Sequence, residues 1–159
     1  MNPAAMTITA SLRRILLAED SMQDAELALE ALSENHVSNL VDHVRDGSAA
    51  LDYLLCRGEY AGRTTGSPGV VLLDLKMPKK DGLQVLREIK GNPQLKSIPV
   101  VMMTSSREEQ DLVRSYELGV NAYIVKPVGF REFVEAVKQV GIFWAMLNEP
   151  PASLKSTGD

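Results

Sequence analysis

The chain has 159 residues, a net charge of −4 and 45% hydrophobic residues, a composition typical of one globular domain. The acidic balance argues against a general nucleic-acid binder, which needs a basic face, and no stretch approaches the roughly 18 apolar residues that span a membrane. The single cysteine, Cys56, excludes an internal disulfide, and the N-terminus lacks a signal-peptide pattern, so we expect a cytoplasmic protein.

Short apolar runs alternate with longer segments of helical periodicity along the chain. The runs predict five strands, at 15–18, 39–44, 70–73, 99–104 and 122–125. The periodic segments predict five helices, at about 21–32, 46–55, 82–90, 107–117 and 130–147. In the first helix the spacing places Met22, Ala25, Leu29 and Leu32 on one face, and in the third it places Leu83, Leu86 and Ile89 inward. The segment 57–69 is rich in Gly, Thr and Ser, which predicts a loop.

Alternating strands and helices predict an α/β fold with one sheet. Strands that are apolar on both sides need helices on both faces of the sheet, which favours parallel pairing. Sheets of this kind bind ligands at the carboxyl ends of their strands. The residues at those ends are therefore the candidates for a functional site.

Charged and polar residues follow four of the predicted strands. Glu19 and Asp20 follow the first strand, Asp74 the third, Thr104 ends the fourth and Lys126 follows the fifth. Three neighbouring carboxylates repel each other, and Lys126 offsets only one of their charges. A bound Mg²⁺ would bring the local charge close to zero, and carboxylate oxygens are its preferred protein ligands. A carboxylate beside Mg²⁺ and lysine is a competent nucleophile for a phosphoryl group.

These residues lie in four motifs that resemble the receiver domains of two-component response regulators. The motifs are Ala18-Glu19-Asp20, Asp74-Leu75-Lys76-Met77-Pro78-Lys79-Lys80-Asp81-Gly82, Thr104-Ser105 and Lys126-Pro127. The resemblance implies a flavodoxin-like (CheY-like) fold, with five parallel strands in the order 2-1-3-4-5 and helices on both faces. It also implies a receiver domain over residues 12–148, between an N-terminal extension, 1–11, and a flexible tail, 149–159.

The resemblance assigns a role to each residue of the site. Asp74 accepts a phosphoryl group from a histidine kinase and is also a metal ligand. Asp20 binds Mg²⁺ directly, Glu19 binds it through water, and the backbone carbonyl of Lys76 completes the protein ligands. Lys126 pairs with the phosphoryl group, and the bond to the proline that follows it is expected to be cis.

Two further residues of the family pattern form its conformational switch. Thr104 moves toward the phosphoryl group, and Tyr123 matches the aromatic residue that turns inward on activation. A half-buried strand tyrosine with no switching role is the plainer interpretation of Tyr123. The resemblance therefore implies a switch that takes a phosphoryl group onto its own Asp74 and loses it again by autodephosphorylation. It does not imply an enzyme that turns over an external substrate.

A finer resemblance links the chain to the stand-alone response regulators of bacterial and cyanobacterial phytochromes. It is carried by the long loop 57–69, by the pair Glu59-Tyr60, and by the aromatic end around Phe143 and Trp144 before two prolines. It implies a phytochrome-type histidine kinase as partner. It also implies a homodimer through the fourth helix, the fifth strand and the fifth helix. Phe143 and Trp144 are adjacent and cannot both face one stripe of a helix. We therefore expect one of them to pack inward and the other to meet a partner at the interface or to contact the tail.

Other functions fit the residues less well. A phosphohydrolase of the haloacid-dehalogenase type needs a second aspartate where Lys76 stands, and the glycine-rich motifs of dinucleotide and P-loop enzymes do not occur. In a flavin mononucleotide carrier, Glu19 and Asp20 would repel the phosphate group of the cofactor. A DNA-binding regulator would need an output domain, and the dozen or so residues after the last predicted helix are too few to form one. A phosphate-independent interaction module stays open. We also expect Cys56 to be a small buried hydrophobic residue.

Overall fold

The computed structural model describes residues 13–33, 40–115, 120 and 122–139. Its strands are β1 (Ile15–Ala18), β2 (Val41–Val44), β3 (Val70–Asp74), β4 (Val100–Thr104) and β5 (Ala122–Val125). Its α-helices are α1 (Met22–Ser33), α2 (Gly47–Leu54), α3 (Gly82–Gly91), α4 (Arg107–Ser115) and α5 (Phe130–Gln139). A short 3₁₀ helix, Gly58–Tyr60, lies within the predicted loop 57–69.

The five strands form one parallel sheet in the order β2-β1-β3-β4-β5. This confirms the predicted α/β fold and its strand order. The register pairs Ile15 with Val70 and Val71 with Val100, so the carboxyl ends of the central strands lie at a common edge. Charged or polar residues lie at this edge, at the ends of β1, β3, β4 and β5.

The strands bury both of their faces, as their uninterrupted apolar sequences predict. Alternate residues such as Leu17 and Leu72 pack with α1 and α5 on one face. The residues between them, such as Leu16 and Leu73, pack with α2, α3 and α4 on the other. The sheet is therefore the middle layer of three, and its edge strand β2 is the one whose residues are mostly half-buried.

The inward faces of two helices differ from the predictions. In α3 the buried apolar residues are Val85, Leu86 and Ile89, and Leu83 is only partly buried against them. In α1 the buried residues are Ala25, Ala28 and Leu32, whereas Met22 is 44% exposed. Both helices begin where the sequence predicts, so the errors are in the rotation of the helix face.

Cys56 was predicted to be buried, and that prediction is wrong. The residue lies just beyond the end of α2, is exposed, and has a positive φ of 53°. Its Sγ lies 3.3 Å from Nη2 of Arg63, which also donates hydrogen bonds to the backbone carbonyl of Tyr53. The chain turns sharply at Cys56 and carries its side chain away from the core.

Several predictions fall outside the described residues. These are the last part of the fifth helix beyond Gln139, the aromatic residues Phe143 and Trp144, and the extension and tail at 1–11 and 149–159. Strand β2 is described from Val41, and helix α4 to Ser115. Among the described helices, none has the length and apolar character required to cross a membrane.

Candidate functional site

Three acidic residues meet where β1 and β3 end. Glu19 and Asp20 follow β1 directly, and Asp74 is the last residue of β3. Carboxylate oxygens of the three residues all lie within 4.8 Å of one another. Glu19 and Asp74 are only 1% and 4% exposed, whereas Asp20 faces solvent. The structure thus brings together the three acids that the sequence places at this edge.

Lys126 reaches two of these acids from the end of β5. Its Nζ lies 2.7 Å from Oε1 of Glu19 and 3.1 Å from Oδ1 of Asp74. A third carboxylate, Oδ2 of Asp24 in α1, lies 3.1 Å away. The backbone N–H of Lys126 donates to the carbonyl of Thr104, and the bond between Lys126 and Pro127 is cis, as the resemblance implies.

Burial and charge act against each other at this site. Burial raises the pKa of Asp74, and the neighbouring Glu19 raises it further, while Lys126 partly opposes both effects. Burial acts to lower the pKa of Lys126, but its ion pairs with Glu19, Asp74 and Asp24 outweigh burial and raise it. Lys126 is therefore held as an ammonium ion, and one such ion does not balance the acids around it.

The predicted switch residues lie on β4 and β5, the two strands that follow β3 in the order of the sheet. Thr104 ends β4, is fully buried, and its Oγ1 has no hydrogen-bond partner among the described residues. Tyr123 lies on β5, beside Met102 in the register, and packs half-buried against the core on the α2–α4 face. A fully buried hydroxyl without a hydrogen-bond partner is uncommon in folded proteins.

Lys76 follows Asp74 by two residues in the loop between β3 and α3. Its side chain is exposed and forms an ion pair of 3.1 Å with Glu109 in α4. Oε1 of Glu109 also accepts a hydrogen bond from the backbone N–H of Ser105, which follows Thr104. The loop ends at Gly82, where an added Cβ would stand 2.3 Å from the backbone oxygen of Asp74. Only glycine fits there without displacing the loop.

Glu19, Asp20 and Asp74 together form an acid group that fits a hard divalent cation. All its ligand atoms are carboxylate oxygens, two of the acids are nearly buried, and Asp20 leaves one side accessible to solvent. Mg²⁺ prefers oxygen ligands, and its small radius and retained waters suit a site with few carboxylates. His43, which could suggest a transition metal, instead uses Nε2 to donate to the backbone carbonyl of Glu19 at 2.8 Å.

Two contacts of the site were not anticipated from the sequence. Asp24, in the first turn of α1, is a direct partner of Lys126, 102 residues away. Glu109 bridges the segments that follow β3 and β4. Each residue is an acid in the first turn of a helix that starts beside the site, which is the signal that could have found both.

A comparison with known families decides the assignment of this site. The family described as "Response regulator receiver domain" matches residues 15–138. The chain belongs to this family. The match covers every described strand and the three residues of the acid group. The family's sequence pattern and the observed site therefore lie in the same part of the chain.

Several response regulators are similar to this chain over most of its length. The chain is 42% identical to the response regulator Rcp1 of Synechocystis sp. over 87% of its own length and 93% of that protein. The structure of the bacteriophytochrome response regulator AtBRR is 60% identical, with a TM-score of 0.81, over 87% of this chain and 99% of that chain.

A third relative is a structure of the phosphorylated cyanobacterial phytochrome response regulator RcpA. It is 44% identical, with a TM-score of 0.67, over 84% of this chain and 94% of that chain. A structure of Rcp1 in its Mn²⁺-bound form also matches, with a TM-score of 0.66 over 88% of this chain and 99% of that chain. The receiver domain is thus related to phytochrome response regulators across most of its length.

Proposed function

We propose that this receiver domain is the phosphorylation switch of a two-component system, with Asp74 as its phosphoacceptor and Mg²⁺ as its cofactor. The observation that carries the proposal is the position of Lys126, whose Nζ lies 3.1 Å from Oδ1 of Asp74 inside the acid group. A buried carboxylate beside a fixed ammonium ion and a potential cation site is equipped to accept a phosphoryl group. Turnover of an external substrate is not part of this function.

In the transfer step, a carboxylate oxygen of Asp74 attacks the phosphorus of a phosphohistidine on the kinase. The new O–P bond forms while the P–N bond breaks, and the histidine nitrogen leaves with the electron pair. The attacking carboxylate must be ionised, yet burial and Glu19 raise the pKa of Asp74. Positive charge at the site therefore favours the reactive form.

The other residues then stabilise the transferred group. Glu19, Asp20 and Asp74 would hold Mg²⁺, together with the backbone carbonyl of Lys76, and the cation would neutralise charge on the phosphoryl oxygens. Lys126 donates to one phosphoryl oxygen. The buried hydroxyl of Thr104, which has no partner among the described residues, is suited to donate to another.

Two relatives support this assignment. RcpA is described in its phosphorylated form, and Rcp1 in its Mn²⁺-bound form. Both align with this chain over more than four-fifths of its length, with TM-scores of 0.67 and 0.66. A receiver that takes up a phosphoryl group and one that binds a divalent cation are therefore both close to this chain in fold and sequence.

The test is labelling with a small phosphodonor. Acetyl phosphate with Mg²⁺ should add one phosphoryl group that is stable in acid and labile in base, as expected for an acyl phosphate. Asp74→Asn should take up none, because the amide is not a nucleophile, and chelation of Mg²⁺ should stop labelling of the wild type. Equal labelling of wild type and Asp74→Asn would refute the assignment of Asp74.

The kinase partner that we propose is a phytochrome-type histidine kinase. The support is the 60% identity to the bacteriophytochrome response regulator AtBRR and the 44% identity to the cyanobacterial phytochrome response regulator RcpA. A phosphotransfer profile should show faster transfer from a phytochrome-linked kinase than from other kinases of the same organism. Equal transfer from all of them would remove the basis for a phytochrome partner.

The output that we propose is a change of self-association. Phosphorylation would shift Thr104 and Tyr123 and remodel the surface of α4, β5 and α5, through which two copies would form a homodimer. Phe143 and Trp144 would anchor that interface, although both lie outside the described residues. In sedimentation, Trp144→Ala should lower the average mass relative to wild type. An unchanged mass would exclude Trp144 as an anchor.

A further inference from the structure

The ammonium group of Lys126 has three carboxylate partners that differ in kind. Glu19 and Asp74 belong to the acid group that we propose holds the cation. Asp24 lies outside that group and still hydrogen-bonds to Nζ at 3.1 Å. A lysine ammonium has three N–H donors, so the three carboxylates can together satisfy all of them.

Asp24 is well fixed for such a contact. It lies in the first turn of α1, and its backbone N–H donates to Oγ of Ser21 at 3.2 Å. The backbone N–H of Ser21 donates in turn to Oε2 of Glu19 at 3.1 Å. The start of α1 is thus hydrogen-bonded to the acid group. The side chain of Asp24 is 37% exposed, whereas that of Lys126 is 14% exposed, so Asp24 holds the ammonium group from the solvent side.

The other two partners change their role during the proposed transfer. An oxygen of Asp74 forms the bond to phosphorus, and Glu19 shares its charge with the cation. Asp24 is the partner in this trio that neither step uses. Immobilising a lysine side chain costs about 2 kcal/mol in rotamer entropy. A partner that stays in contact throughout the transfer keeps the ammonium group ordered, so this entropy is not lost anew at the transfer step.

We propose that Asp24 is the positioning residue of Lys126 in phosphoryl transfer. It holds the ammonium group beside Asp74 before the reaction and keeps it there while its contact passes to a phosphoryl oxygen. This inference rests on the proposed function, because it concerns the rate of that reaction. Asp24 itself contacts Lys126 and not the phosphoryl group.

Two substitutions separate positioning from charge. Asp24→Asn and Asp24→Ala both remove one negative charge, but only asparagine keeps an oxygen that can accept from Nζ. At saturating Mg²⁺ and acetyl phosphate, we expect Asp24→Ala to be labelled about fivefold more slowly than Asp24→Asn, the rate difference typical of one lost hydrogen bond. Glu26→Gln, which removes an exposed acid from the same helix, should match the wild type.

A second readout does not depend on phosphorylation. In the metal-free protein, the side-chain ¹H–¹⁵N correlation of the Lys126 ammonium should be visible in the wild type and in Asp24→Asn, because slow exchange requires a held group. It should be lost in Asp24→Ala. Equal labelling rates for Asp24→Asn and Asp24→Ala, or an Asp24→Ala spectrum that keeps the signal, would overturn the inference while leaving Asp74 as the phosphoacceptor.

The same experiments distinguish this inference from the proposed function. A wild type that takes up no label would overturn the proposed function and the role of Asp24 in it. A wild type that is labelled normally, with Asp24→Ala slower than Asp24→Asn and lacking the ammonium signal, would support both. Urea unfolding of each variant shows whether a slow rate comes from loss of the fold.

Discussion

The hydroxyl of Thr104 is an unusual feature at the scale of single residues. It is fully buried at the end of β4 and has no hydrogen-bond partner among the described residues. A buried unsatisfied polar group costs about 1–3 kcal/mol. We expect Thr104→Val, which keeps the shape and suits a strand, to raise the free energy of unfolding by about 1 kcal/mol without Mg²⁺, as measured by urea denaturation.

The functional cost of that substitution should be separate from the gain in stability. Thr104→Val removes the donor that we propose for a phosphoryl oxygen, so its acyl phosphate should form but should fail to shift self-association. Thr104→Ser keeps the hydroxyl and is the matched control. A loss of stability in Thr104→Val would mean that the hydroxyl has a partner in the resting protein, which contradicts the role assigned to it.

Two residues show what the sequence could not settle at this scale. The contact between Asp24 and Lys126 joins positions 102 residues apart, and only the sheet order brings them together. Free cysteine is usually a small buried residue, which favoured burial for Cys56. Its positive φ of 53° turns it outward, and a cysteine carries no sequence signal for that conformation.

At the scale of elements, α4 is joined to both segments beside the site through Glu109. Its carboxylate accepts from the Ser105 N–H at 3.0 Å and lies 3.1 Å from Nζ of Lys76. The Ser105 hydrogen bond lowers the pKa of Glu109 most; burial opposes this shift, and Lys76 adds to it. Because the pKa is lowered by folding, the stabilisation is present above the ordinary value of 4.5 and is lost as pH falls through the folded value.

Glu109→Gln should therefore lower the free energy of unfolding most near neutral pH. We expect a loss of about 0.5–1 kcal/mol in the free energy of unfolding at pH 7, shrinking toward zero below about pH 4. The exposed Lys76 contributes little of this loss, because exposed ion pairs are weak. Glu108→Gln, which removes an exposed acid from the same turn, is the control. A difference between the two variants that persists unchanged to pH 3 would rule out the charge of Glu109 as the cause.

The elements themselves were predictable to different degrees. The buried strands β1, β3 and β4 were predicted closely, because apolar runs on both faces leave few alternatives. The helix α3 was found, but Val85 is fully buried in the core, whereas Leu83 is only partly buried against it. Residues two positions apart on a helix of 3.6 residues per turn point in widely different directions, and packing against the sheet decides which of them is buried.

At the scale of the whole molecule, the parallel topology explains the site. Parallel strands place all their carboxyl ends at one edge, so the acids at the ends of β1 and β3 meet the lysine that follows β5. This convergence was predictable from the sequence once the strands were known. The distances were not, because they depend on the twist of the sheet and on the loops that continue each strand.

The same convergence makes the fold sensitive to divalent cations. Carboxylate oxygens of the three acids lie within 4.8 Å of one another, and the ammonium group of Lys126 contacts two of these acids, Glu19 and Asp74. Mg²⁺ should therefore bind the folded chain in preference to the unfolded one. At a concentration about 100 times the dissociation constant, such binding raises the free energy of unfolding by about 2.7 kcal/mol. We expect a gain of this size in urea titrations with Mg²⁺, reversed by a chelator.

Asp20→Asn provides the sharper test, because Asp20 is the exposed member of the acid group. Without Mg²⁺ this variant should be at least as stable as the wild type, since it loses one of three mutually repelling charges. With Mg²⁺ it should lose most of the gain, since it lacks a cation ligand. Glu135→Gln, which removes an exposed acid from α5, should keep the full gain. If Asp20→Asn gained as much as the wild type, the cation would bind elsewhere, and the metal role of the acid group would have to be abandoned.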